Sequence, residues 1–247
     1  MNNNERVVAI VQARMGSSRL PGKVAKELID KPMLAHTIDR LKAAKELDKI
    51  VLATSIKEAD DKVVEIAESE GVDHYRGSEA DVLSRYIGAA KEYNADIVVR
   101  ITGDCPLVDP VTIDEVVSEF QSSDLDYMRL KGYPRGFGTE VCSVDTLLKV
   151  EQAVNDDIKD NPYREHVTLY IYRHPEKFKI GIKEASSEFN RDYRLCVDEE
   201  DDFTLIKEIY KRLYQEGEII NIRNVIKLLD ENPNLAKINT HVEQKKV

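Results

Sequence analysis

Residues 7–23 read VVAIVQARMGSSRLPGK and join an apolar, β-branched run directly to a loop of unusual composition. The run at residues 7–11 predicts a buried strand. The loop that follows carries Arg14, Arg19 and Lys23 together with two glycines and two serines. Glycine lets a backbone approach a ligand closely, and loop N–H groups and cationic side chains hold phosphate oxygens. The stretch therefore predicts a strand that ends at a binding loop for an anionic small molecule.

Outward from this stretch, the first half of the chain alternates between strand-like and helix-like segments. Strands are predicted at residues 7–12, 50–54, 74–76 and 97–101, and helices at residues 32–45, 59–70 and 81–93. This alternation predicts an α/β fold with a mostly parallel sheet and helices on both faces. Ligands bind at the carboxyl ends of the strands in such sheets. The loop after the first strand and the turn at residues 102–106 are therefore expected to meet in one cleft.

The second half of the chain is less regular. Strands are predicted at residues 126–130, 140–143, 178–183 and 193–197, and helices at residues 161–173, 201–214 and 222–229. A Gly/Pro-rich connection at residues 132–138 separates the first two strands. Because no internal repeat or low-complexity linker interrupts the chain, we expect a single domain over residues 1–247 with an inserted subregion.

Composition narrows the class of protein. The 247 residues, 42% of them hydrophobic, suffice for a real core, and the net charge of −10 disfavours a nucleic-acid partner. The three cysteines, Cys105, Cys142 and Cys196, form no CxxC pair, which disfavours a zinc site and a disulfide framework. Neither a signal-peptide core at residues 1–6 nor a membrane-length apolar run is present. We expect a cytoplasmic protein with no membrane partner.

The first loop matches neither of two common phosphate-binding patterns. Five residues separate Gly16 from Gly22, and Val24 follows Lys23, so the Walker A pattern fails at two points. The Gly-x-Gly-x-x-Gly dinucleotide pattern is also absent. A P-loop ATPase and a nicotinamide dehydrogenase are therefore disfavoured. A solvated basic turn is the alternative interpretation.

Two aspartates follow predicted strands. Asp104 comes after residues 97–101, and Asp198 lies between a strand and a closing helix. A carboxylate just past a buried strand can hold Mg²⁺ beside a substrate phosphate. Asp104 as a simple turn residue or helix cap remains open, because Gly-Asp turns are common. The acidic residues 199–202 are interpreted as partners of a helix N-terminus rather than as ligands.

Six motifs follow one another along the chain: QARMGSSRLPGK at residues 12–23, DVLSRY at 81–86, GDCP at 103–106, PRGFGTEV at 134–141, REHVT at 164–168 and VD at 197–198. Taken in order, these motifs resemble the acylneuraminate and KDO cytidylyltransferase family, and most of all its spore-coat polysaccharide biosynthesis branch. The resemblance spans roughly residues 6–215. It implies the fold of the nucleotide-diphosphosugar transferases, a Rossmann-like three-layer α/β/α sandwich. It also implies a nucleotide-binding part at residues 6–125, an acceptor and dimerisation part at 126–200, closing helices at 201–247, and a homodimer.

The resemblance also implies roles for individual residues. Arg14 and Lys23 would bind the triphosphate, and Asp104 with Asp198 would bind Mg²⁺, so that Arg14, Lys23 and Asp104 form the catalytic group. Further nucleotide contacts are implied at Ala13, Gly16, Ser17, Ser18, Arg19, Asp81, Arg85 and Thr102, and acceptor contacts at Arg135, Glu140, Arg164 and His166. Arg19 could equally hold the loop, and His166 could be a partly buried helix residue.

The implied reaction is transfer of CMP from CTP to an acidic sugar or a related acceptor in surface polysaccharide biosynthesis, with release of pyrophosphate. The specificity for the base of the nucleotide stays open, because KDO-type enzymes tend to carry Gln at the position of Thr102. One alternative is a glycosyltransferase of the same fold. Its Asp-x-Asp motif is absent at residues 104–106, although residues 124–126 have the spacing. The other alternative is a non-catalytic module that binds a nucleotide or a partner enzyme.

Overall fold

The structure is a computed structural model that describes residues 5–154 and 161–244. The strands are β1 Val7–Gln12, β2 Glu27–Leu28, β3 Lys31–Pro32, β4 Lys49–Ser55, β5 Asp73–Gly77, β6 Ile97–Thr102, β7 Tyr127–Lys131, β8 Glu140–Ser143 and β9 Ile180–Glu184. The helices are α1 Met33–Lys42, α2 Asp61–Ser69, α3 Val82–Glu92, α4 Pro110–Gln121, α5 Val144–Ala153, α6 Pro162–Glu165, α7 Leu169–Arg173, α8 Glu200–Leu213, α9 Ile222–Glu231 and α10 Pro233–Ala236. Within the described residues, no helix has the length and apolar composition needed to cross a bilayer.

Seven of these strands form the central sheet, in the order β5-β4-β1-β6-β8-β7-β9. Every pairing is parallel except those of β8, which runs antiparallel to both β6 and β7. The prediction of a mostly parallel α/β sheet is therefore confirmed. β1 lies in the interior of the sheet, between β4 and β6, which explains why its sequence is an unbroken apolar run.

Helices cover both faces of the sheet. Alternate residues of β1 point to opposite sides. Ala9 and Val11 join a core with α1, α2 and α4, whereas Val8 and Ile10 join a second core with α3, α5 and α7. The layers are therefore those of a three-layer α/β/α sandwich.

A third apolar cluster positions the C-terminal part of the chain. Leu195 and Val197 pack with Leu107 and with the buried faces of α8 and α9. The backbone N–H of Val197 donates to the carbonyl of Asp104 at 2.8 Å. Residues near 198 are thereby fixed beside the carboxyl end of β6, although almost a hundred residues separate them in sequence.

Several local predictions need correction. Helices α4 and α5 were not predicted. The segment at 193–197 forms no named strand, and only an isolated bridge joins Arg194 to Arg135. The predicted helix at 161–173 is two short helices, because the chain leaves helical geometry at His166 (φ −107°, ψ 86°), where β-branched residues follow.

Cys105, Cys142 and Cys196 are buried free thiols. Residues 1–4 of the N-terminal segment, for which no signal-peptide core was found, lie outside the described residues.

Candidate active site

A cavity of about 800 Å³ opens where β1 and β6 end side by side. The residues proposed from the sequence that line it are Ala13, Arg14, Ser17, Ser18, Arg19, Lys23, Arg85, Thr102, Asp104, His166 and Asp198. Those that are not among its lining residues are Gly16, Asp81, Arg135, Glu140 and Arg164. The wall also includes Glu79, Asn161 and Glu165, which were not predicted.

The loop after β1 is folded back on itself. The N–H of Gly22 donates to the carbonyl of Met15 at 2.9 Å, and the N–H of Met15 donates to the buried carboxylate of Asp60 at 2.7 Å. Gly22 has φ +69°, a left-handed conformation that glycine adopts without strain. A short 3₁₀ turn begins at Lys23 directly after it. This geometry turns the lysine side chain toward the sheet.

The ammonium of Lys23 is held by groups from three parts of the chain. Its Nζ lies 2.7 Å from Asp104 Oδ2, 3.0 Å from Asp198 Oδ1 and 2.7 Å from the carbonyl of Val197. Burial alone would lower the pKa of Lys23, but the two aspartates raise it above its ordinary value. The lysine is therefore charged at neutral pH and joins the two predicted metal-binding residues.

Asp198 has two further cationic partners. Arg19 Nη2 lies 3.0 Å from Asp198 Oδ2, and Arg194 Nη2 lies 2.5 Å from the same oxygen. Burial would raise the pKa of Asp198, but Lys23, Arg19 and Arg194 together hold it below its usual range. Arg19 also contacts Glu199 at 3.0 Å, so in this structure it ties the loop to the start of α8. Arg194 was not predicted, because residues 194–198 are not helical and no spacing in the sequence indicates this contact.

Three further residues of the cavity wall have fewer charged partners than Lys23 and Asp198. The Arg14 side chain is 43% exposed, and its Nη1 lies 3.4 Å from the carboxylate of Glu79. Arg85 extends from the first turn of α3, and its Nη1 donates to the carbonyl of Ser78 at 2.7 Å. At the end of β6, the hydroxyl of Thr102 lies 3.0 Å from the thiol of Cys105.

The second-half residues divide into one that reaches the cavity and three that contact other protein groups. His166 lines the wall, and burial lowers its pKa below the ordinary value of 6.5, so it is neutral at pH 7. Glu140 accepts from Arg100, Tyr127 and Thr168, each at 2.8 Å.

Arg164 is buried and lies 3.3 Å from Asp81, whose carboxylate also caps α3 by accepting from Ser84 N–H. Arg135 is exposed and bridges through its backbone to Arg194. Asp126 accepts from the backbone N–H of Lys179 at 2.9 Å, and Asp124 pairs with the Lys179 ammonium. Both lie beside β7 and β9 and outside the cavity wall, so the Asp-x-Asp spacing there is part of a strand junction.

The two cavity aspartates fit one type of metal site. In the part of the chain that the structure describes, no group of three or more His, Cys, Asp or Glu residues could hold a metal ion. Asp104 and Asp198 nevertheless converge on a single point, the Lys23 ammonium. Mg²⁺ is usually bound through one or two carboxylates plus substrate phosphates. The pair therefore fits a Mg²⁺ ion that arrives with a nucleotide, and not a metal centre made by the protein alone.

A model of the cytidylyltransferase family matches residues 8–227, which include the loop, both aspartates and most of the closing helices. The chain belongs to this family. It is 34% identical over 237 residues to the spore coat polysaccharide biosynthesis protein SpsF of Bacillus subtilis, covering 93% of this chain and 96% of that protein.

Two cytidylyltransferases are also similar to this chain. A 3-deoxy-manno-octulosonate cytidylyltransferase of Solibacter usitatus is 32% identical over 189 residues, with 68% of this chain and 71% of that protein covered. The structure of a cytidylyltransferase from Leptospira borgpetersenii serovar Hardjo-bovis superposes with a TM-score of 0.86 at 32% identity, over 98% of this chain and 100% of that one. The nucleotidyltransferase-like α/β fold and the transferase activity expected from the sequence are thereby confirmed.

Proposed function

We propose that this cytidylyltransferase depends on Mg²⁺ and transfers CMP from CTP to a hydroxyl of an acidic sugar or a related acceptor, releasing pyrophosphate. The similarity to a 3-deoxy-manno-octulosonate enzyme supports an acidic sugar, and the similarity to SpsF supports a place in surface polysaccharide biosynthesis. We further propose that it works in the cytoplasm as a homodimer.

The observation that carries the proposal is the convergence at Lys23. A loop of cationic and small residues ends at this lysine, and its ammonium lies within 3.0 Å of carboxylates from two distant turns. Phosphoryl transfer needs positioning and charge neutralisation more than covalent chemistry by the protein. A cavity in which an anion-binding loop meets a carboxylate pair supports both needs.

Each group has a role in this proposal. Asp104 and Asp198 would hold Mg²⁺, which when bound supplies Lewis-acid polarisation of the α-phosphate. Arg14 and Lys23 bind the phosphates and stabilise the charge on the departing pyrophosphate. His166, uncharged at neutral pH, contacts the acceptor. Arg135, Glu140 and Arg164 remain predictions for the acceptor side.

Thermal unfolding with each of the four ribonucleoside triphosphates, with and without Mg²⁺, tests the proposal. A ligand that binds only the native state raises its apparent stability. We expect a shift that is selective for CTP and needs Mg²⁺, followed by pyrophosphate release when 3-deoxy-manno-octulosonate is added as the first acceptor. A shift only with nucleoside diphosphosugars would indicate a glycosyltransferase, and no shift would indicate a binding module.

A further inference from the structure

Asp198, the second of the two cavity aspartates, is held by cations of two different origins. Lys23 and Arg19 belong to the loop after β1, whereas Arg194 lies four residues before Asp198 on the same segment. In the proposed reaction, the cations of the loop bind the phosphates of the nucleotide. Of these three cations, Arg194 is the one that can stay on Asp198 after the nucleotide has arrived.

The two oxygens of the Asp198 carboxylate have different partners. Oδ1 lies 3.0 Å from the Lys23 ammonium, which is also 2.7 Å from Asp104 Oδ2. Oδ2 lies 2.5 Å from Arg194 Nη2 and 3.0 Å from Arg19 Nη2. Arg194 therefore holds one oxygen, and the other faces the point that the two aspartates share.

The guanidinium of Arg194 is itself fixed at each of its three nitrogens. Besides the contact of Nη2 with Asp198, its Nε lies 2.9 Å from Asp202 Oδ1, and its Nη1 donates to Gln244 Oε1 at 2.9 Å. Asp202 is fully buried, and its Oδ2 accepts from the backbone N–H groups of Asp198 and Glu199 at 2.9 and 3.0 Å. One carboxylate thus fixes both the backbone at Asp198 and the arginine that holds the Asp198 side chain.

The segment after α9 completes this arrangement. Asn239 is 2% exposed, and its Nδ2 donates to Asp202 Oδ1 at 2.7 Å and to the carbonyl of Arg194 at 2.9 Å. Leu235 packs into the third apolar cluster and anchors the segment. Asn239 and Gln244 lie beyond residue 227, where the match to the family model ends. Side chains locked by packing and hydrogen bonds in this way keep a binding group in a fixed orientation.

We infer that Arg194 is a positioning residue for the Mg²⁺ site, and that Asp202 and Asn239 hold it in place. This inference rests on the proposed function. Arg194 keeps the Asp198 carboxylate directed at the point shared with Asp104 while the loop cations turn to the phosphates. Groups behind a metal ligand orient it, and their loss typically lowers metal affinity about ten- to hundredfold.

Calorimetric titration of CTP over a series of Mg²⁺ concentrations tests the inference on the full chain and its variants. The midpoint is the Mg²⁺ concentration that gives half of the rise in CTP affinity. We expect the midpoint of Arg194→Met to be about ten- to hundredfold above that of the wild type. Arg194→Lys keeps the buried charge, but an ammonium cannot reproduce the planar fork that reaches three partners at once. Its midpoint should lie between the two.

Arg191→Met is the matched control. Arg191 lies three residues before Arg194, pairs with the carboxylate of Asp230 at 2.9 Å and does not line the cavity. We expect this variant to keep the midpoint of the wild type. A midpoint that rises as much in Arg191→Met as in Arg194→Met would overturn the inference, because it would reflect a general disturbance of the segment.

Two other results would overturn the inference and leave the proposed function standing. One is a wild-type midpoint in Arg194→Lys, which would mean that only the charge matters; this variant carries the test if Arg194→Met does not fold. The other is a loss of CTP affinity in Arg194→Met that is equal with and without Mg²⁺. A wild type whose CTP affinity does not respond to Mg²⁺ would overturn both the inference and the proposed function.

Discussion

Two clusters that pair acidic with basic side chains lie beside β6, and they differ in the groups that hold their carboxylates. In the first, one lysine, Lys23, bridges Asp104 and Asp198, which come from loops at the cavity. In the second, Glu140 is paired across the sheet with Arg100, and both of its oxygens are hydrogen-bonded by protein donors. A ligand that brings its own cation can replace the ammonium of the first cluster. The donors of the second belong mainly to neighbouring strands and hold those strands in register.

With the roles proposed above, the first cluster serves ligand binding and the second serves stability. Asp104→Ala should break the first and leave the second intact. We expect turnover to fall at least about thousandfold, because a metal's stabilisation of transition-state charge amounts to several kcal/mol. Pyrophosphate release measures the loss. Asp124→Ala, at an exposed aspartate paired with Lys179, is the control and should keep full activity. Near-normal turnover in Asp104→Ala would contradict the metal assignment.

Glu140→Ala should break the second cluster and lower the stability of the fold. Removing one member of a buried ion pair strands the other charge, so we expect the free energy of unfolding to fall by about 3–5 kcal/mol. Urea unfolding measures it. Glu184→Ala, which removes an exposed partner of Lys131, should cost less than about 1 kcal/mol. If Glu140→Ala proved as mild as Glu184→Ala, the distinction between the two clusters would collapse.

The Lys23 cluster also predicts how stability depends on pH. The folded pKa of Asp198 is lowered, so its contribution is present above the unfolded value of about 3.9 and is lost as the pH falls through the folded value. The folded pKa of Lys23 is raised, so its contribution is lost only as the pH rises past about 10.5. Urea unfolding between pH 2 and 6 should show a shallower acid decline for Asp198→Asn than for the wild type, and equal slopes would refute this.

A helix cap away from the cavity shows how much unfolding free energy an ordinary local interaction contributes. The hydroxyl of Ser143 accepts from the N–H of Thr146 at 3.1 Å at the start of α5. Ser143→Ala should cost about 1 kcal/mol in unfolding free energy, and Ser143→Gly only a few tenths. Nucleotide affinity should be unchanged in both, as calorimetry would verify. A loss of affinity would mean that the stability cluster and the ligand cluster are coupled through β8.

The sequence predicted the first cluster better than the second. Lys23 and Asp104 follow the neighbouring parallel strands β1 and β6, so topology brings them to one edge. Asp198 follows a segment that is not in the sheet, and the third apolar cluster, with Leu195 and Val197, holds it at the same edge. Whether Glu140 and Arg164 are free depends on partners about 40 and 83 residues away, Arg100 and Asp81, which no local pattern identifies.

The missed helix α4 carries sequence signals that the analysis of the sequence did not use. α4 begins with Asp109 as its cap and Pro110 as its first residue, and Ile113, Val116 and Phe120 follow at helical spacing. At 193–197 the opposite error occurred. Alternating apolar residues predicted a strand, but the segment packs against the 132–138 connection through a single bridge instead of joining the sheet.

The bridge from Lys23 to Asp198 has a consequence for synthesis on the ribosome. β1, its loop and β6 all emerge within the first hundred or so residues, but Asp198 and the Arg194 that holds it belong to the last quarter of the chain. A nascent chain can assemble much of the sheet while half of its carboxylate pair is still missing. With Asp198 as a metal ligand, as proposed above, nucleotide binding with a divalent ion becomes available only near the end of translation. A product truncated before Asp198 would lack this binding.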